Sequence, residues 1–256
     1  MILNILTIAR RELSAFFSTP VGWIVMSAFL FINGVFFVLF LSFYTLQSTQ
    51  SPMSPYGPPQ LDLNEHFIAP FYGNVAVLLL FVSPVITMRL IAEDRKTRVL
   101  DLLLTSPITT TEIVLGKFLG ALGFIVAMLL STLHFPLALA WVGSPDLGVV
   151  ASCFLSVVLV GASVSSVGLL VSSFTESQII AGIVSFVVMI FVYVLSMMGS
   201  VTSGTYREVI EGVSLLSHME PLTRGLMHSK DIVYFVSFIT FFLFATHQRV
   251  EAFRWS

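Results

Sequence analysis

The chain alternates between long uncharged stretches and short charged segments. Charged side chains are absent from residues 13–61, 66–88, 118–145, 147–175 and 177–206. The hydrocarbon core of a bilayer is about 30 Å thick, and about 20 apolar residues in an α-helix cross it. A sixth, shorter stretch lies between Asp231 and Arg249. We therefore predict six spans, at 21–46, 68–88, 118–142, 147–174, 178–198 and 231–248.

The composition agrees with this pattern. Of the 256 residues, 56% are hydrophobic and 10% are charged, and a soluble fold of this size could not bury so much apolar surface. The apolar runs are continuous, whereas a membrane β-barrel shows segments of about ten residues that alternate in polarity. We predict an all-α polytopic membrane protein that forms a single transmembrane domain over residues 1–256.

The first 18 residues have the pattern of an amphipathic helix rather than a span. At 100° per residue, one side carries the polar residues Asn4, Thr7, Arg11 and Ser14, and apolar residues cover the other side. Such a helix lies in the headgroup region of a membrane. Thr19 and Pro20 should end it before the first span begins.

The distribution of Lys and Arg predicts the orientation. Nine of the 12 lie in the segments that share one side of the membrane with both termini. Lys and Arg concentrate on the cytoplasmic side, so we expect both termini to be cytoplasmic. The loops 47–67 and 199–230 are then on the outer side, and the second of these should contain short helices before the sixth span.

The segment between the second and third spans is unusually rich in charge. Its pattern predicts a short helix that Ser106 and Pro107 end, because the residue before a proline avoids the helical region. Thr109 and Glu112 then have the spacing of a capping box at the start of the next helix. A helical projection of this kind either connects two spans or docks a cytosolic partner.

The residues of this projection resemble a known family. The segment IAEDRKTRVLDLLLTSPITTTEIVLGKFLGA is similar to the cytoplasmic loop of ABC-2-type exporter permeases, although Arg98 and Val99 stand where that family has Gly-Thr. The C-terminal segment from Ser217 to Trp255 is similar to permeases of the gliding-motility and copper-enzyme-maturation groups.

The resemblance implies a coupling helix at 93–107 that inserts into a separate ATPase subunit. The residues it assigns to that interface are Glu93, Asp94, Arg95, Lys96, Arg98, Asp101, Leu102, Leu103, Ser106 and Pro107. Glu176 is a candidate second contact. The resemblance further implies two ATPase copies, a second permease chain of the same or a related kind, an extracytoplasmic accessory protein and a location in the bacterial inner membrane.

The sequence carries no nucleotide-binding motif of its own. The only Gly-Lys pair, Gly116-Lys117, is followed by Phe118, and Thr111 stands where a P-loop begins with glycine. We expect ATP and Mg²⁺ to bind the partner ATPase and no cofactor or metal to bind this chain. A net charge of −2 gives no reason to expect a nucleic-acid partner.

Two other functions deserve comparison. A secondary transporter or channel without an ATPase is one alternative. Such proteins usually carry ionisable residues within their spans. In this chain the predicted spans contain no Asp, Glu, Lys, Arg or His away from their ends, apart from His134 and His247. An intramembrane serine hydrolase is the other. The serines of the fourth span, however, belong to a small-residue face that favours helix packing or dimer formation: Gly161, Ser165, Gly168 and Ser172. Gly116 and Gly120 form a second small pair.

Overall fold

The structure is a computed structural model that describes residues 2–50, 62–139, 146–201, 210 and 212–254. Within these ranges the secondary structure is helical and contains no strand. Six helical segments are long and apolar enough to cross a membrane. The prediction of an all-α polytopic membrane protein is therefore confirmed.

Eleven α-helices are numbered here in chain order among the described residues. They are α1 Ile2–Ser18, α2 Pro20–Gln50, α3 Ala69–Thr87, α4 Ala92–Lys96, α5 Val99–Thr105, α6 Thr110–Thr132, α7 His134–Leu139, α8 Leu147–Ser173, α9 Gln178–Val201, α10 Leu215–Thr223 and α11 Ser229–Arg254. A π-helical turn, Asn64–Ile68, leads directly into α3.

The helix boundaries reflect local sequence signals. Thr19 separates α1 from α2, and Pro20 is the first residue of α2, where a missing backbone N–H costs nothing. Helix α6 begins at Thr110, eight residues before the predicted span, because Thr109 and Glu112 form the predicted capping box. Parts of the loops 47–67 and 199–230, and residues 140–145, lie outside the described residues.

The predicted third span, 118–142, contains a break in its C-terminal half. Helix α6 ends at Thr132, and α7 starts at His134 after a break at Leu133. Pro136 explains the break, because it has no N–H to bond the carbonyl of Thr132 and its ring would collide with that carbonyl in a continuous helix. The two helices together, Thr110–Leu139, are still long and apolar enough to cross a membrane.

Helices α3, α6 and α8 form the centre of the bundle, and α2, α9 and α11 lie around them with few of their residues buried. The chain ends share one end of the bundle. Glu251 near the end of α11 accepts a hydrogen bond from Thr110, and Asn4 of α1 donates to Glu112 at 3.2 Å. We call this the elbow end, after the elbow formed by residues 88–109.

Small residues allow the central helices to approach closely. A Cβ added to Gly168 would lie 2.7 Å from Thr87 Cβ, and one added to Gly161 would lie 2.9 Å from Ile125 Cγ2. Ser165 and Ser172 are also fully buried within the chain. The small-residue face of α8 therefore packs against α3, α6 and the elbow, so it does not present a face to a second permease.

Gly168 and Gly73 provide a matched test of this packing. Replacing Gly168 by Ala should lower the stability by about 1–3 kcal/mol, because the added methyl overpacks the contact with Thr87. Gly73→Ala is the control, since nothing lies within 4 Å of its added Cβ. Ala is favoured over Gly inside a helix by about 0.5–1 kcal/mol, so this variant should be as stable as the parent or slightly more so. Thermal unfolding in detergent measures the stability of both variants. Equal melting temperatures for the two variants would contradict the close packing of Gly168 against Thr87.

Candidate functional site

The elbow consists of two short helices with a sharp change of direction between them. Helix α4 ends at Lys96, and Arg98 has a φ of 57°, in the left-handed region. This conformation disfavours residues with a Cβ by about 1–2 kcal/mol. The single helix predicted over 93–107 was therefore wrong: it is divided at Thr97 and Arg98. Arg98 occupies the position where the resembling loops have glycine, the residue that adopts this conformation most easily.

A buried lysine joins the elbow to α1. The Nζ atom of Lys117 in α6 lies 2.8 Å from Glu12 Oε1 and 2.5 Å from Asp94 Oδ2, and only 1% of the lysine side chain is exposed. Arg11 extends this cluster, with a nitrogen 2.8 Å from Glu12 and 3.6 Å from Asp94. The elbow, α1 and α6 are thus connected by one ionic cluster.

Close backbone packing supports the same connection. A Cβ added to Gly116 would lie 2.6 Å from Ile8 Cβ, and one added to Gly120 would lie 2.5 Å from Glu12 Cβ. Helix α1 therefore lies against α6 along this glycine face. Phe16, near the end of α1, also stacks on Phe124 of α6 with ring centroids 4.6 Å apart.

Arg95 connects the elbow to α8 and α11. Its guanidinium donates to Glu176 Oε1 at 2.9 Å and to the carbonyl of Ser173 at 3.2 Å. It also lies over the ring of Phe253, 4.2 Å from the centroid, which is a favourable cation–π geometry. Glu176 remains two-thirds exposed, so it can pair with Arg95 and still face solvent.

Ser172 holds the turn that leads from α3 into the elbow. Its Oγ accepts hydrogen bonds from the amides of Ile91 and Ala92, at 3.1 and 3.0 Å, and donates to the carbonyl of Met88 at 3.1 Å. One hydroxyl thereby satisfies three backbone groups where the helix ends. Ser172 was predicted to serve helix packing, and its role here is to anchor the elbow to α8.

The ten predicted interface residues form an inward pair, a partly buried pair and an outward set of six. Asp94 and Arg95 turn toward the bundle and bind the partners described above. Leu103 and Ser106 are partly buried, and Ser106 Oγ donates to the carbonyl of Leu103 at 2.6 Å. The remaining six side chains project from the elbow: Glu93, Lys96, Arg98, Asp101, Leu102 and Pro107.

Sequence reasoning missed Glu12 and Lys117 as members of the site. Glu12 follows Arg10 and Arg11 within α1, and Lys117 lies between Gly116 and Phe118 within α6, so no local pattern links the two. The spacing of Gly116 and Gly120 indicated that another helix packs closely against α6, but it did not identify that helix as α1.

The electrostatics of Glu12 follow from its surroundings. Burial alone would raise its pKa, but the nearby Lys117 ammonium and the hydrogen bonds from Arg11 and Lys117 outweigh burial, so the pKa is lowered from its ordinary value of 4.5. Glu12 is therefore an anion at neutral pH, as pairing with Lys117 requires.

Comparison with known proteins gives a family and two relatives. The family described as ABC-2 family transporter protein matches residues 6–248. A probable multidrug ABC transporter permease of Escherichia coli K12, YbhR, is 33% identical over 138 residues, which cover 54% of this chain and 36% of YbhR. A second one, YbhS of the same strain, is 29% identical over 121 residues, which cover 45% of this chain and 30% of YbhS. The matched part spans about a third of the length of these curated relatives.

Removing the buried cation should disrupt the elbow end. Lys117→Met leaves Glu12 and Asp94 in a largely buried site without their shared partner, and breaking a buried ion pair costs about 3–5 kcal/mol. Lys96→Met removes an exposed lysine from the same elbow and serves as the control. Thermal unfolding of both variants should show a large loss of stability for the first alone, and a loss of similar size for both would refute the role of Lys117.

Acid should remove the contribution of Glu12. Because its folded pKa is lowered, its stabilisation is fully present above its ordinary pKa and is lost as the pH falls through the lowered value. The melting-temperature difference between the parent and Glu12→Gln should therefore be large at neutral pH and shrink as the pH falls below the ordinary pKa of 4.5. Glu220→Gln, in the exposed pair with Arg224, should differ little from the parent throughout. A Glu12→Gln difference that is independent of pH would contradict this assignment.

Proposed function

The chain belongs to the ABC-2 family of transporter proteins, and we propose that it is the membrane-spanning permease of an exporter driven by a separate ATPase subunit. The proposal includes two ATPase copies that bind ATP and Mg²⁺ and a second permease chain. It places both termini and the elbow on the cytoplasmic side of a bacterial inner membrane. The excess of Lys and Arg at the elbow end supports this orientation.

One observation carries the proposal: the elbow has an outward surface of mixed charge and an exposed leucine. Glu93, Lys96, Arg98 and Asp101 supply both signs of charge, and Leu102 is 71% exposed at the same place. An exposed apolar side chain surrounded by charged ones is typical of the centre and rim of a protein interface. We assign this outward surface to contact with the ATPase.

The inward set would transmit the movement. Asp94 binds Lys117 of α6, and Arg95 binds the end of α8 and contacts α11. When ATP closes two ATPase subunits on each other, an elbow held by them is displaced. Its ionic contacts would then carry α1, α6 and α8 with it, because breaking buried ion pairs is costly. ATP binding would in this way tilt the spans.

The cargo is an apolar or amphipathic compound in this proposal, or the chain passes force to an extracytoplasmic accessory protein. Two relatives are described as probable multidrug permeases, which favours export of such compounds. The similarity of the C-terminal segment to gliding-motility and copper-enzyme-maturation permeases favours the accessory protein. The exposed apolar faces of α2 and α9 leave room for lipid and for the second permease.

A substitution at Leu102 tests the contact. Leu102→Asp should reduce copurification of the ATPase at least tenfold, because it puts a charge at the apolar centre of the interface, while the melting temperature of the isolated permease stays unchanged. Leu226→Asp is the control, since Leu226 is 55% exposed at the opposite end of the bundle. Asp94 and Arg95 are less suitable for this test, because their inward contacts would change as well.

Two results would refute the proposal. One is copurification of the ATPase with Leu102→Asp at the level of the parent. The other is transport by the reconstituted chain that persists without any ATPase, which would support a secondary transporter or channel instead.

A further inference from the structure

Arg89 is a partly buried cation at the elbow end, and the two carboxylates whose charges act on it, Glu93 and Glu12, form no direct ion pair with it. It follows α3 in the turn toward the elbow, and its Cζ lies 4.0 Å from the centroid of the Phe16 ring. Its Nη2 atom is buried and has no hydrogen-bond partner, and the side chain has no ion pair with any residue that the structure describes. The other arginines near the elbow, Arg11 and Arg95, both have carboxylate partners.

A guanidinium in this position requires an anionic partner. Burying a charge away from water is costly unless the charge is paired and hydrogen-bonded. The ring of Phe16 supplies part of the compensation, about 0.5–2 kcal/mol for a cation–π contact. The ring accepts no conventional hydrogen bond, so the guanidinium N–H groups remain without an acceptor among the described residues.

Arg89 also lines a cavity of about 150 Å³. Its apolar wall is formed by side chains of α2 and α3 that include Val21, Val25 and Val85. Gln178, at the start of α9, contributes an amide whose side chain makes no hydrogen bond among the described residues. Glu93 contributes an exposed carboxylate. The polar lining thus combines a cation, an anion and an amide.

We propose that this cavity binds the head group of a phospholipid that carries a primary ammonium, such as phosphoethanolamine. The phosphodiester accepts hydrogen bonds from Arg89 and Gln178, since a guanidinium is well suited to phosphate oxygens. The ammonium donates to Glu93. The acyl chains extend from the cavity along the valines of α2 and α3 into the bilayer.

The charges favour a zwitterionic head group over other ligands. A purely anionic group would be repelled by the carboxylate of Glu93, and a purely cationic group would be repelled by the guanidinium of Arg89. The lining residues come from α2, α3, α4 and α9 and from Phe16 of α1, so the bound lipid would touch the elbow and the turn between α1 and α2. The site shares Glu93 with the surface assigned to the ATPase, but lipid binding can be measured on the permease alone.

Lipid-dependent thermal stability tests the site. Purified, delipidated protein in detergent is titrated with phosphatidylethanolamine, phosphatidylcholine, phosphatidylglycerol or inorganic phosphate. We expect phosphatidylethanolamine to raise the melting temperature of the parent by several degrees, and the other three to have at most half that effect. Native mass spectrometry should show one tightly retained phosphatidylethanolamine per permease.

Two variants locate the effect. Arg89→Gln removes the charge and should abolish the response to phosphatidylethanolamine. The melting temperature of the delipidated variant should fall by no more than the loss of the Phe16 contact explains, because no ion pair among the described residues is lost. Arg10→Gln removes an exposed arginine from the same end of the bundle and should respond like the parent. If Arg89→Gln responds like the parent, the proposal is wrong. An equal response of the parent to phosphatidylglycerol, to phosphatidylcholine or to inorganic phosphate would also overturn it.

Discussion

The ion pairs of Lys117 are the interaction on which the elbow end depends. An ammonium with 1% of its side chain exposed persists only if anionic partners replace its water, and Glu12 and Asp94 do so from two other elements of the chain. If either carboxylate moves away, the buried ammonium keeps only one of its two anionic partners. The ionic cluster therefore fixes the positions of α1 and the elbow relative to α6 far more strictly than apolar contacts would.

Inside the bilayer the bundle depends on a different kind of contact. Lipid is as apolar as the side chains, so helices gain little from the hydrophobic effect and associate through close packing and hydrogen bonds. Gly161 and Gly168 let the neighbouring helices approach α8 closely, and Ser172 extends α8 into the elbow by bonding three backbone groups. Helix α8 therefore lies at the centre of the bundle and also anchors the elbow through Ser172.

Sequence patterns predicted the features that are encoded locally. The spans follow from runs of apolar residues, and the start of α6 follows from Thr109 and Glu112, which are three residues apart. The features that were missed depend on tertiary structure. Glu12 and Lys117 are 105 residues apart, and their pairing requires the docking of α1 on α6. The division of the elbow could not be predicted either, because a left-handed Arg98 is a conformation that residues with a Cβ rarely adopt.

The side chains of the elbow divide into an outward set and an inward set. In the proposed function, contact with a partner and transmission of force place different requirements on these two sets. A residue that contacts a partner must be exposed before association, whereas a residue that transmits force must already be held by the chain. On α4, adjacent positions satisfy these opposite requirements: Glu93 and Lys96 face outward, while Asp94 and Arg95 face the bundle. A helical turn makes this possible, because residues one apart point about 100° away from each other. Under the proposed function, a displacement of the outer side of α4 would reach Lys117 and Glu176 through Asp94 and Arg95.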